Sequence, residues 1–308
     1  MMEQKNEIQI EDDLEDAEEN LPFKYSITSY GADYPVDALV KRMENGSIDV
    51  PLFQRGFVWS YKQASRFIES LLLGLPVPGI FLWKDEETQK HFVIDGQQRL
   101  RTLQYFYRGI FANTRQEFVL KGVQPQFESA TYKSLLEEDR RRLDDSIMHA
   151  IIVKQDEPSE DNSSIYHIFE RLNTGGVRLE PQEIRACVYL GELNELLSQL
   201  NKNESWRKVF GPVHKRMREQ ELILRFLALY FKDKYLKPMK GFLNTYMSEN
   251  RHLKRQSADQ IRQAFVGTIE IVQKYLGSKA FKPKGRLNAA IFDAAMVSIA
   301  KRLERGPI

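Results

Sequence analysis

The sequence holds a single cysteine, Cys187, in 308 residues. No internal disulfide can form, and a reducing, cytoplasmic setting is expected. Histidines number five and are scattered, with no two at metal-ligand spacing. That excludes a structural zinc site and leaves nothing placed as a His-Asn-His nuclease centre. No run of 18 apolar residues exists, so no transmembrane helix is expected and no membrane partner. The first twenty residues are acidic where a signal or transit peptide is basic and apolar. Internal repeats are absent. So are the P-loop, the dinucleotide fingerprint, the Gly-x-Ser-x-Gly elbow and His-Glu-x-x-His.

What is present argues for a folded protein. The chain is 42% hydrophobic and carries 18 Phe, 13 Tyr and 3 Trp. That suffices for one large or two ordinary domains. The net charge of +2 conceals an asymmetry. Residues 1–20 hold nine acids and one Lys, whereas 201–308 hold 23 Lys and Arg against nine acids. The acidic block is expected to be a disordered tail over 1–21. The basic half is suited to DNA, or equally to solvated helix faces.

Periodicity predicts an α+β domain over 22–155 and a helical domain over 156–308. Strands are expected at 25–30, 80–83, 91–94, 116–120 and 147–153. A helix should begin at Ser60, since Ser60 and Gln63 have capping-box spacing. Another should open after Asp95-Gly96 and stop at Gly109. Further helices are expected at 163–173, 181–200, 220–231, 257–276 and 287–304. Cys187 sits within an apolar helical pattern, the position of a core residue.

Four segments carry candidate chemistry. In HFVIDGQQRLRTL, 91–103, a buried strand runs into a helix N-terminus, where N–H groups and the positive dipole end favour an anion. Gly96 leaves room for a phosphate, Gln97 and Gln98 supply donors, and Arg99 supplies a two-pronged cation. Asp95 is placed to hold a metal ion or orient a water. The alternative is an ordinary strand–turn–helix in which Asp95 caps the helix and Arg99 pairs with an acid. In VPLFQRGFVWSYKQ, 50–63, Gln54 and Arg55 lie among Phe53, Phe57 and Trp59, as phosphate and base contacts or as core beside a surface arginine. In FERLNTGGVRLEPQEIR, 169–185, Arg171, Asn173 and Thr174 could contact a ligand from a glycine-rich loop. The fourth, RMREQELILRFLALYF, places Glu221 and Arg225 four apart as a structural pair.

FQRGFVW, DGQQRLRTL, FERLNTGGVRL and ELILRFLAL together resemble the N-terminal domain of GmrSD-type restriction proteins, over about 22–250. The resemblance implies a fold similar to ParB and sulfiredoxin domains. It also implies that a nucleoside triphosphate binds at the DGQQR motif and, in several members, is hydrolysed. Carried over, Asp95, Gln98 and Arg99 are the catalytic candidates. Gln54, Arg55, Gly96 and Gln97 join Arg99 as nucleotide contacts, with Arg171, Asn173 and Thr174 beside them and Phe53 and Trp59 as pocket support. Mg2+ at Asp95 would accompany the nucleotide. Many relatives carry a His-Asn-His nuclease domain, a pattern not found here. The expectation is therefore an NTP-hydrolysing sensor or regulatory module of a bacterial anti-phage system, with DNA and a separate nuclease or methyltransferase subunit as partners. The alternatives are a ParB-like metal-dependent nuclease or nickase, and a non-catalytic interaction module.

Overall fold

The computed structural model describes residues 10–11, 26–50, 57–112, 114–157, 163–172, 179–214, 216–283 and 285–306. The chain is α+β and divides into two compact units. One comprises 25–159 and 167–178, the other 1–24, 160–166 and 179–308. The segment β1 (Ile10–Glu11) belongs to the second.

The first unit is built on a five-stranded sheet. Its strands are β2 (Ser26–Pro35), β3 (Ile48–Asp49), β4 (Ile80–Lys84), β5 (His91–Asp95) and β6 (Ile147–Glu157), in the order β2-β6-β4-β5-β3. β2 pairs antiparallel with β6, and β4 antiparallel with β5. β4–β6 and β3–β5 are parallel. Alternate strand residues Ile80, Leu82, Val93, Met148, Ala150 and Ile152 form one core with the helices. Those helices are α1 (Val36–Glu44), α2 (Tyr61–Leu72), α3 (Gln97–Arg108) and α4 (Glu137–Asp145). α1 and α2 each pack on α3 and α4. Trp83, Phe92 and Ile94 are buried too, so β4 and β5 are covered on both faces.

Local chemistry explains several boundaries. α2 starts in the expected capping box: Gln63 N donates to Ser60 Oγ at 3.3 Å, and Ser60 N to Gln63 Oε1 at 2.8 Å. The strand expected at 116–120 does not form, beyond one bridge of Ile110 with Glu117. Phe118 N and Leu120 N donate to Gly109 O and Ala130 O, and side chains of α2 take the groups between and after them. Val119 N donates to Tyr61 Oη at 2.8 Å, that hydroxyl donates to Val119 O at 2.6 Å, and Lys121 N donates to Ser65 Oγ at 3.2 Å. Phe118 and Leu120 still bury their side chains, which accounts for the strand-like alternation. Tyr107 on α3 and Tyr132, ahead of α4, stack at 4.1 Å, and both hydroxyls donate to Asp144 Oδ1 of α4, at 2.5 and 3.0 Å. Burial first, then the Asp144 carboxylate, raises both phenols, Tyr132 to about 12.

The second unit is helical. It holds the start of α5 (Ser163–Leu172), then α6 (Pro181–Val188), α7 (Glu192–Leu200), α8 (Glu204–Phe210), α9 (Arg218–Phe231), α10 (Met239–Asn250), α11 (Ala258–Tyr275) and α12 (Ala289–Leu303). The single helix expected over 181–200 is two. Gly191 separates them, and a Cβ there would lie 2.6 Å from Arg251 O, a contact only glycine permits. Leu193 N donates to that same carbonyl at 3.2 Å, so the break is fastened to the end of α10. Cys187 is buried. Trp206 packs its ring against Phe210, Phe265 and Phe292, joining α8, α11 and α12.

The expected Glu221–Arg225 pair is corrected. Arg225 Nη2 lies 2.6 Å from Asp293 on α12, and Glu221 lies 2.8 Å from Arg185 on α6. Both arginine side chains are 2% exposed, and a helix-to-helix carboxylate reaches such a buried guanidinium where the i,i+4 partner faces elsewhere. β1 pairs in parallel with β7 (Leu287–Asn288). Of the tail expected to be disordered over 1–21, Ile10 and Glu11 form this pairing and the rest lies outside the described residues. Among the described residues, no helix is long and apolar enough to cross a membrane.

Candidate functional site

The strand-to-helix turn at 95–99 forms as its sequence predicts. β5 ends at Asp95, Gly96 takes φ +98°, and α3 begins at Gln97. Gly96 is required by packing as well as by its backbone angle. A Cβ there would lie 2.4 Å from Ile80 Cγ2 and 3.3 Å from Arg99 Nη2. The room left by the missing side chain is thus occupied by Ile80 of β4, rather than kept open for a phosphate.

Arg99 is the hub of the turn. Its Nη2 donates to Asp95 Oδ2 at 2.9 Å and to Gly79 O at 2.8 Å, tying the helix to its own strand and to the turn before β4. Its side chain is 15% exposed, that of Asp95 45%. Arg99 Nε is buried with no hydrogen-bond partner among the described residues. Asp95 therefore pairs with Arg99 four residues on, and no side chain caps α3. The cation and the carboxylate offset each other, and the helix dipole leaves the turn with its positive end outward.

Gln98 faces a different neighbour. Its Oε1 accepts from Val58 N at 2.9 Å and Trp59 N at 3.2 Å. That oxygen, assigned to catalysis on sequence grounds, positions the chain entering α2. Trp59 packs on Phe67 at 5.5 Å, and Phe57 lies edge-on to Tyr105 at 5.1 Å and to Phe111 at 5.7 Å. Both rings belong to the packing around α2 and α3. Gln97 is half-buried at the first position of α3. Arg171 is exposed in the last turn of α5. Phe53, Gln54, Arg55, Asn173 and Thr174 lie outside the described residues.

Sequence reasoning missed the Gly79 carbonyl and the Val58 and Trp59 amides, because backbone groups leave no mark on residue identity. The Pro76-x-Pro78-Gly79 turn ahead of a buried strand is the one available signal. As for a metal, no cluster of three or more His, Cys, Asp or Glu stands together among the described residues. Asp95 already accepts from Arg99, so the donor set does not fit a cation held by protein groups alone.

A family model described as GmrSD restriction endonuclease, N-terminal domain, matches residues 36–190, half of the chain. The chain belongs to this GmrSD N-terminal domain family. Among curated proteins, none matches it significantly. The GmrSD match opens at Val36, the first residue of α1, and closes at Leu190, just beyond α6. It thus includes the whole 95–99 turn and the FERLNTGGVRL stretch. ELILRFLAL on α9 lies beyond it.

The Gln98 contact yields a prediction. Gln98→Ala should destabilise the first unit by about 1–2 kcal/mol, since two backbone donors lose one acceptor. Gln98→Glu keeps an acceptor and should recover most of the loss. Hydrogen exchange at Val58 and Trp59 gives the check: both amides should exchange faster in Gln98→Ala, and unchanged rates would show that the contact holds nothing.

Proposed function

We propose that the Asp95–Arg99 turn binds the polyphosphate of a nucleoside triphosphate, and that the chain is a nucleotide-responsive regulatory module of a restriction-like defence system. Family membership gives the restriction-like setting. The observation that carries the nucleotide reading is Arg99, an arginine at a helix N-terminus with one guanidinium edge fixed and its buried Nε unpaired. A phosphate arriving there gains the positive helix end and the free guanidinium donors. Asp95 opposes an anion, so Mg2+ entering with the nucleotide offsets that carboxylate; it comes as the counter-ion of the phosphates. Gln98 fixes Val58 and Trp59, three and four residues after Arg55 in sequence, which supports Gln54 and Arg55 as further phosphate contacts. Hydrolysis, with Asp95 orienting a water, belongs to the same reading, as does a separate nuclease or methyltransferase subunit as partner.

Calorimetric titration with ATP, GTP, CTP and UTP in Mg2+ tests this. At least one should bind, and Arg99→Ala should weaken it about 10- to 100-fold. Arg99 also ties Gly79 and Asp95 together, so the variant's stability is measured alongside and Arg99→Lys serves as a folded control. A folded Arg99→Ala chain with unaltered nucleotide affinity would sink the assignment. Phosphate release reads hydrolysis, and nicking of supercoiled plasmid with no nucleotide requirement would favour the ParB-like nuclease instead.

A further inference from the structure

The two edges of the five-stranded sheet are unlike. β3 forms one edge with two residues, Ile48–Asp49, whereas β2 forms the other with ten, Ser26–Pro35. No strand lies on the outer side of β2 among the described residues. Every second residue of an edge strand turns its N–H and C=O outward, so a long edge is a template for another strand. Proteins blunt such edges by shortening the strand, as at β3, or with lysine, an interior proline or a bulge. β2 has none of these within it. Its sequence, SITSYGADYP, carries no Lys or Arg, and Asp33 is its one charged residue. Pro35 and the register shift between Ser26 and Ile27 lie at its two ends. Ile27 and Tyr30 are exposed at 40% and 42%.

This edge is held in a fixed register. Thr28 Oγ1 donates to Asp156 Oδ2 at 2.5 Å, and His149 Nδ1 lies 2.6 Å from Asp33 Oδ1. Side chains as well as the ladder thus fasten β2 to β6 near both ends. Gly31 sits midway. It pairs with Ile151 in regular register, has no positive φ, and a Cβ there would meet nothing within 4 Å. A glycine inside a strand weakens it, and marks a bulge, a bend or the close approach of another backbone. The regular register and ordinary φ exclude a bulge. Close approach of a second backbone is the reading that an open edge supports.

We propose that β2 pairs antiparallel with β2 of a second copy of this chain, about a two-fold axis through Gly31, so that two sheets join into one. An axis perpendicular to the sheet keeps each side chain on its own face only if it passes through a residue. The two such registers with the longest overlap centre on Tyr30 and on Gly31. An axis at Tyr30 sets Ile27 opposite the partner's Asp33, an apolar side chain against a charge. An axis at Gly31 sets Ser29 opposite the partner's Asp33, a hydroxyl against a carboxylate. It also sets Thr28 opposite the partner's Tyr34, and Tyr30 opposite the partner's Ala32, a large ring beside a small side chain. No two like charges meet. Residues 27–35 of each copy then face one another, and roughly eight to ten new backbone hydrogen bonds form, about what a standard interface carries. The pairing closes on itself and leaves the two-residue β3 at each outer edge, so assembly stops at a dimer.

Two measurements on the full chain test this. Sedimentation velocity over a range of protein concentrations should show a concentration-dependent dimer. Ser29→Asp sets a carboxylate opposite the partner's Asp33 at two symmetry-related points and should raise the dissociation constant about fivefold. Ser29→Lys sets a cation there and should leave the constant unchanged or lower it. Opposite responses at this one exposed position separate the register from general harm to the strand. Oxidative cross-linking reads the geometry, since the single native cysteine, Cys187, is buried. Gly31→Cys meets its own counterpart across the axis, at about 4.5–5.5 Å between Cα atoms, and should give a covalent dimer on a non-reducing gel. Ile27→Cys holds its two thiols about 26 Å apart and should not. A chain that stays monomeric at every concentration overturns the proposal, and so does a dimer that Gly31→Cys does not cross-link. Equal weakening by Ser29→Asp and Ser29→Lys, or equal cross-linking at both cysteine positions, overturns the axis at Gly31. No nucleotide enters these readings, so they stand apart from the Asp95–Arg99 turn.

Discussion

Gly96→Ala should cost the first unit about 3–5 kcal/mol, because two penalties coincide at one atom. The backbone sits at φ +98°, where an L side chain is strained. The added Cβ would also stand 2.4 Å from Ile80 Cγ2 and 2.9 Å from Ile80 Cβ, atoms of a fully buried strand residue with nowhere to retreat. Overpacking and backbone strain each contribute about 1–3 kcal/mol. Ile80→Ala removes the Cγ2 and should relieve the closer of the two contacts, leaving the Cβ contact and the φ penalty. Urea denaturation of the two single variants and the double variant measures their coupling. A favourable coupling of at least about 1 kcal/mol is expected. Additive losses would mean that the glycine is required for its backbone angle alone.

Asp293→Ala should cost the helical unit a similar amount, about 3–5 kcal/mol. Arg225 is 2% exposed, and its Nε and Nη2 approach Asp293 Oδ2 at 3.1 and 2.6 Å. Removing the carboxylate takes a counter-charge and its hydrogen bonds from a buried guanidinium, whose desolvation penalty is then less compensated. Asp293→Asn keeps an acceptor and should cost less. The paired replacement Arg225→Met with Asp293→Leu should return close to native stability, since it removes both charges together. Chemical denaturation of the four chains decides this. A loss below about 1 kcal/mol for Asp293→Ala would show that water or another group compensates the arginine.

These two sites mark where reading the sequence succeeds and where it stops. Ser60 with Gln63, the strand ending at Asp95 and the helix ended by Gly109 all follow from short-range rules, and each forms. The Asp95–Arg99 ion pair is legible too, being four residues apart on one turn. Arg225 is the opposite case. Glu221 is its nearest acid at helical spacing, yet the partner is 68 positions away, and only the packing of α9 on α12 selects it. Segment 116–120 has strand-like alternation, but its backbone groups are shared among Gly109, Ala130 and the Tyr61 hydroxyl of α2 instead of one partner strand. The split between α6 and α7 depends on the carbonyl of Arg251, again distant in sequence. At the candidate site the motif residues are readable, while the atoms that fix them (Gly79 O, Val58 N and Trp59 N) are backbone groups. Such groups become visible only when the fold brings them together.

The pairing of β1 with β7 also has a timing. Ile10 and Leu287 are 277 positions apart. At about 5–20 residues per second, the ribosome makes Leu287 some 14–55 s after Ile10. During that interval Ile10 and Glu11 have no β7 to join, while the sheet unit, complete by about residue 178, is already able to fold. A nascent chain therefore carries Ile10 and Glu11 without their β7 partner until α12 is about to be made. The order of synthesis makes the β1–β7 pairing a late tertiary event, one that follows the folding of the sheet unit.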